Sequence, residues 1–267
     1  MQRTNGTSPY FRESNLNSWL FPQFNSSILL QWVAFFIPIY FQGVRNASPF
    51  KSGTNSLPLE TFLIPFALVA GVILSRTGVY RTLHAVGFAL ITIGLGLLTL
   101  QTRYTRTAVR VTFQAVEAIG QGYIVPTILP TIQASLPELE VASSVGMYSF
   151  LRIFDFVWSI TIPGIIFNAQ WNKKHHVVGD LAIREQMRNG IAYHFASATY
   201  RSMLPITIQD QIVGVYIESL RTIWQVEIML ALVGFLAVFT QRYIALRTEL
   251  NTKFGLGRRK DELMCEA

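Results

Sequence analysis

Five ionisable residues stand inside otherwise apolar sequence: Glu60, Glu117, Arg152, Asp155 and Glu227, with His84 near the end of another apolar run. A charge surrounded by hydrocarbon is costly and usually faces a bundle interior or a wet cavity. Arg152 and Asp155 are three residues apart and share a face if the segment is helical. Two readings stay open for them: an internal ion pair that lets the helix insert, or a part in handling protons or substrate. Glu117 has no basic partner on its own face and sits beside Gly120 and Gly122. It is the preferred candidate for a protonatable coupling site, with a helix-end position as the alternative. Glu227, about a turn into its run, is expected to snorkel, and Glu60 to be partly hydrated.

Other chemistries find little support. The single cysteine, Cys265, excludes an intramolecular disulfide framework and a Cys-rich zinc site. His175 and His176, with Asp180 nearby, lack a spaced third ligand, so no metal site is expected. The HExxH, GxSxG and phosphate-loop patterns are absent, and the GQGY run at Gly120 lies within an apolar stretch. No cofactor is implied, and an enzyme is not the expected reading. Asn5, Asn25 and Asn46 open glycosylation sequons.

The elements that would position these groups follow from composition. Of 267 residues, 51% are apolar and 14% charged, against roughly 25% charged in an average soluble domain. About 20 residues of helix cross a hydrocarbon core of roughly 30 Å. Six runs approach that length: 28–44, 57–75, 82–101, 109–134, 141–167 and 222–242. They are too continuous for the alternating pattern of a membrane barrel. The expected fold class is all-α, an integral membrane six-helix bundle occupying 28–242. A polar segment over 1–27 precedes it and a basic tail over 243–267 follows. Pro38 should kink the first span, and Pro126 and Pro130 should break the fourth. Small residues in the second, third and fourth spans permit close backbone approach. The long connection 168–221 carries Ile208, Ile212, Val215, Tyr216 and Leu220 at helical spacing, the pattern of an amphipathic helix at the interface.

The net charge of +7 falls between and after the apolar runs, which suits span orientation rather than nucleic-acid binding. Arg247, Lys253, Arg258, Arg259 and Lys260 put the tail in the cytoplasm, and six spans put the N-terminus there too. The connection 168–221 is then external and membrane lipid is the first partner. Arg103, Arg106 and Arg110 run against this pattern.

The run IPIYFQGVRNASPFKSGTNSLPL resembles the fungal fourteen-span drug:proton antiporters and toxin efflux pumps of the major facilitator superfamily. Pro38, Tyr40, Phe41, Gln42, Ser48, Pro49, Ser52, Gly53, Leu57 and Pro58 carry the match. GVILSRTGVYR is similar to a cytoplasmic loop motif of that superfamily through Gly71, Arg76, Gly78, Tyr80 and Arg81, with Ser75 where an acid often stands. QAVEAIGQGYIVPTILPTIQA resembles the next glycine-rich span. FLRIFDFVWSITIPGIIFN resembles the one after, with Asp155, Phe156 and Trp158 in place of small residues. The resemblance covers about Gln31 to Arg242 and implies the C-terminal six-helix half only.

That resemblance implies proton-coupled efflux of small amphipathic molecules, such as drugs and toxins, by alternating access. It implies a truncated form offering half a cavity, completed by a second transporter half or a homodimer, in the plasma membrane. Phe36, Tyr40, Gln42, Tyr123 and Phe154 are the substrate-cavity candidates, with packing or lipid contact as their alternative role. Glu117, Asp155 and Arg152 are the proton-coupling candidates. A non-transporting membrane protein, or a subunit modulating another transporter, is the other reading.

Overall fold

The computed structural model describes residues 9–134, 141–187 and 203–241, and the environment of side chains from residue 21 onward. Long unbroken helices are the expected answer to apolar surroundings, because a helix satisfies its backbone groups internally. The described chain forms α1 (Pro9–Ile39), which widens into a π turn at Tyr40–Val44, then α2 (Pro49–Thr77) and α3 (Tyr80–Leu98). After these come α4 (Thr107–Ala134), α5 (Val141–Lys174), a 3-10 turn at His175–Val177, the short α6 (Leu181–Gln186), and α7 (Ile206–Thr240).

The caps explain why several helices outrun their apolar runs. Ser48 accepts a bond from the Lys51 N–H and Pro49 occupies the first turn of α2. Helix therefore begins eight residues before the apolar stretch that opens at Leu57. Gly78 ends α2 in the left-handed conformation at φ 65°, its N–H bonding the Leu74 carbonyl at 2.8 Å. Neither proline in α4 ends it: Pro126 and Pro130 both lie inside the helix. The Thr127 and Thr131 hydroxyls bond back to carbonyls of the preceding turn, which keeps the polar backbone occupied beside the prolines.

The segment before the last span is also different from its expectation. Residues 206–240 form one helix of 35 residues, roughly 50 Å long. Ile212, Val215, Tyr216 and Leu220 are buried within the protein. Tyr216 packs edge-on against Phe167 and Trp171 of α5, with centroids at 5.2 and 5.8 Å. The apolar stripe read as membrane-facing instead seals one helix against another.

Among the described residues, five stretches are long and apolar enough to cross a membrane: Phe21–Val44, Pro49–Thr77, Tyr80–Leu98, Ser143–Val177 and Ile206–Thr240. The sixth long helix, α4, falls short of that measure because Arg110, Gln114, Glu117 and Gln121 interrupt it. It is instead the most thoroughly enclosed polar element, packed between α2 and α3, while α7 covers the other side of α3. α1 packs on α5 and α7. The core centres on Trp32, Phe36, Tyr40, Phe88, Phe167, Trp171, Tyr216 and Trp224, all at most 2% exposed.

Candidate functional site

Glycine sets the position of the central acid. Gly94 of α3 lies so close to α4 that a Cβ there would stand 2.6 Å from the Glu117 backbone nitrogen and 2.7 Å from its Cα. Gly87 and Gly120 interlock in the same seam, a Cβ on Gly120 meeting the Gly87 carbonyl oxygen at 2.7 Å. Small residues thus let the two backbones touch. They carry the Glu117 side chain into the protein, where it is 1% exposed. The Gln121 amide, one turn on, donates to Glu117 Oε1 at 3.0 Å. Gln114 completes a polar face along α4, and neither end of its amide has a partner among the described residues.

Glu227 of α7 lies within electrostatic reach of Glu117. It is fully buried, and neither carboxyl oxygen has a hydrogen-bond partner among the described residues. The expected snorkelling does not occur: the residue is a turn into the apolar run but six turns into the helix, because α7 begins at Ile206. Glu60 is exposed on α2 and also acts on Glu117. His84 is engaged at both ring nitrogens, with Thr127 Oγ1 at 2.9 Å and Gln241 Oε1 at 3.3 Å, and so ties α3 to α4 and to the end of α7.

A second polar region lies between α1 and α5. Asp155 is fully buried with Ser27 as its polar neighbour, yet neither carboxyl oxygen completes a hydrogen bond with a described residue. Arg152 points elsewhere: it is exposed and lines a crevice with Gln23, Ser26, Ser27, Gln31 and Tyr148. The two residues share a helix but form no ion pair. A spacing of three places their Cα atoms on one side, while their side chains take different exits.

The cavity candidates do not converge. Phe36 is a core residue against Phe167, with centroids at 6.4 Å. The Tyr40 hydroxyl donates to the Thr102 carbonyl at 2.9 Å, binding the π turn to the α3–α4 connection. Gln42 is half-buried in that turn. Tyr123 packs edge-on to Phe66 of α2 at 5.9 Å. Phe154 is exposed on α5 between Phe150 and Trp158.

The loop-motif residues do gather at one end. Gly78 makes the turn, buried Tyr80 opens α3, and Arg81 donates to the Phe239 carbonyl in the last turn of α7 at 3.4 Å. Arg76 is exposed in the last turn of α2, and Gly71 faces open space. At the opposite end Arg110 is buried, its guanidinium 5.2 Å from the Phe41 ring centroid. Asn25, which opens a sequon, is buried and donates to the Leu230 carbonyl of α7 at 2.9 Å. Among the described residues no three His, Cys, Asp or Glu side chains gather as a metal site. The tail 243–267 lies outside the described residues.

Long apolar helices enclosing a polar seam define the class: this is a polytopic α-helical membrane protein. The comparisons narrow it. The chain is 40% identical over 233 residues to the MFS efflux transporter aclA of Aspergillus oryzae, covering 87% of this chain and 42% of that protein. It is 39% identical over 235 residues to the MFS-type efflux pump LUC4 of a Fusarium species, with the same coverage. It is 35% identical over 265 residues to the efflux pump FUS6 of Gibberella fujikuroi, covering 95% of this chain and 48% of that protein. By sequence the chain is similar to fungal MFS-type efflux transporters over most of its own length, and it spans less than half the length of these curated relatives. No family model and no solved structure matches it.

Proposed function

We propose that this chain forms one six-helix bundle, the C-terminal half, of a proton-coupled exporter of small amphipathic molecules. Its similarity to efflux transporters over 87% of its length carries the reading. The buried Glu117, held in a glycine-tight seam and in no ion pair among the described residues, supplies a group able to take up and release a proton. Transport, rather than an enzyme activity, is the function assigned. Arg76 and Arg81 at one end of the bundle support placing that end, and with it both termini, in the cytoplasm of a plasma-membrane protein. Asp155 and Arg152 are assigned to the α1–α5 crevice as separate groups. Of the aromatic candidates, Tyr123 and Phe154 retain a part in substrate contact, since both keep exposed surface.

A second reading draws on the outward apolar faces of α2 and α5, where Leu68, Val72, Ile153 and Val157 are each more than half exposed. There the bundle works only against another bundle, a second copy, or a transporter it modulates. Expression in a host stripped of its drug pumps separates the two. Proton-dependent export by this chain alone, lost in Glu117→Gln at equal expression, supports the first reading. Stable membrane expression without export favours the second, and export unchanged by Glu117→Gln removes Glu117 from the mechanism.

A further inference from the structure

The crevice beside Arg152 is built from one face of each of three helices. Gln23, Ser27 and Gln31 recur at every fourth position of α1, which sets them on one side of it. Tyr148 and Arg152 have the same spacing on α5. Leu30 of α1, with Val125 and Ile128 of α4, makes the apolar wall. Thr127 lies between those two α4 residues and bonds His84 near the start of α3 at 2.9 Å. The crevice is therefore in the half of the bundle nearer the Gly78 turn, the end assigned above to the cytoplasm. Its lining carries one charge, and that charge is positive. Arg152 stands nine residues into the apolar stretch Ser143–Val177, roughly 13 Å along the helix. The ion pairs among the described residues join Arg103 to Asp210 and Lys174 to Glu218, and neither involves it. Asp155 is 0% exposed and does not line the crevice. A cation at that depth is costly without a counter-charge, and the lining supplies none. The groups around it are neutral and hydrogen-bonding. The Gln23 amide donates to Ser27 Oγ at 3.1 Å, while its buried Oε1 has no partner among the described residues. A guanidinium fork matches the two oxygens of a carboxylate. The vacant amide oxygen can accept from a hydroxyl or N–H beside it, and the wall can take an apolar body.

We propose that this crevice binds an acidic amphiphile, its carboxylate paired with Arg152 and its apolar body against Leu30, Val125 and Ile128. Arg152 is then a residue that selects the bound molecule by charge. That the bound acid is the exported substrate, loaded from the cytoplasmic side, rests on the efflux reading above.

Equilibrium binding of tritiated 1-naphthaleneacetate tests this without requiring transport. The purified chain is held in nanodiscs of neutral phosphatidylcholine, and binding to empty discs is subtracted. Saturable binding is expected, and the uncharged methyl ester of the same acid should displace the label about tenfold less well or worse. Arg152→Gln should lose about tenfold or more in affinity, Arg152→Lys should lose less, and Arg106→Gln, which removes an exposed arginine elsewhere, should bind like the parent. Absence of saturable binding overturns the proposal. So does an ester that displaces as well as the acid, or an Arg152→Gln chain that binds like the parent. Displacement of the acid by phosphatidylglycerol added to the discs would give the site to a lipid head group and overturn it too. If Arg152→Gln fails to fold, the comparison of acid with ester in the parent chain still decides. In the host stripped of its pumps, a chain that binds the acid but exports nothing leaves the site standing and removes the efflux reading. Proton-dependent export by a chain that does not distinguish acid from ester does the reverse.

Discussion

The α3–α4 seam and the α1–α5 crevice each bury an acid, and they bury it in opposite ways. In the seam, Gly87, Gly94 and Gly120 leave no room for even a methyl group, and Glu117 emerges from a backbone that cannot shift. On α5, Gly146 and Gly164 face open space, Arg152 reaches a crevice, and Phe154 and Trp158 are 44% and 42% exposed. An acid in the first setting is positioned by the helices themselves. One in the second depends on side chains that can rearrange, which is the better setting for a surface that must meet different molecules.

Five substitutions, one of them a control, test that contrast, beginning with the largest expected effect. Gly94→Leu should collapse the seam, since even its Cβ overlaps the Glu117 backbone. A loss of about 3 kcal/mol or more is expected, read as failure to recover folded chain in detergent, whereas Gly164→Leu should behave like the parent. Equal tolerance at the two positions would erase the distinction. His84→Ala removes two hydrogen bonds in a buried setting and takes from Gln241 Oε1 its imidazole partner, while Thr127 keeps its bond to the preceding turn. It should cost roughly 2–3 kcal/mol, seen as a lowered Tm. Tyr40→Phe removes only the bond to the Thr102 carbonyl, and a loss of about 1 kcal/mol is expected in the same measurement. Arg152→Gln is the sharpest check on the crevice. With no ion pair to Asp155 it should change stability by less than about 0.5 kcal/mol. A true buried pair would instead lose roughly 3–5 kcal/mol on losing one partner.

Much of the architecture was legible in sequence because lipid imposes a simple rule on it. The apolar runs around Leu63, Ile91 and Leu232 mark helices wherever they occur, and the cap at Ser48 and the turn at Gly78 follow from local chemistry. Glu117 could be singled out as an acid without a cation within one turn of it, and the Gln114–Glu117–Gln121 spacing announces a polar stripe on α4. Glu227 was misread because hydropathy locates the start of an apolar run and not the start of a helix. α7 begins 16 residues before Thr222, where the run opens, so the residue is deep in the bundle. The aromatic candidates were grouped by residue type, and type does not say which face a neighbour covers: Phe36 became core and Phe154 surface.

Composition and spacing by themselves determined that this chain folds as membrane-length helices with a few acids among them, because the cost of exposing backbone to hydrocarbon leaves few alternatives. Which acids are enclosed was decided only by tertiary packing. Gly87, Gly94 and Gly120 bring α3 against α4 and bury Glu117. The early start of α7 puts Glu227 inside the bundle, and no local periodicity foretells the helix that arrives beside either acid.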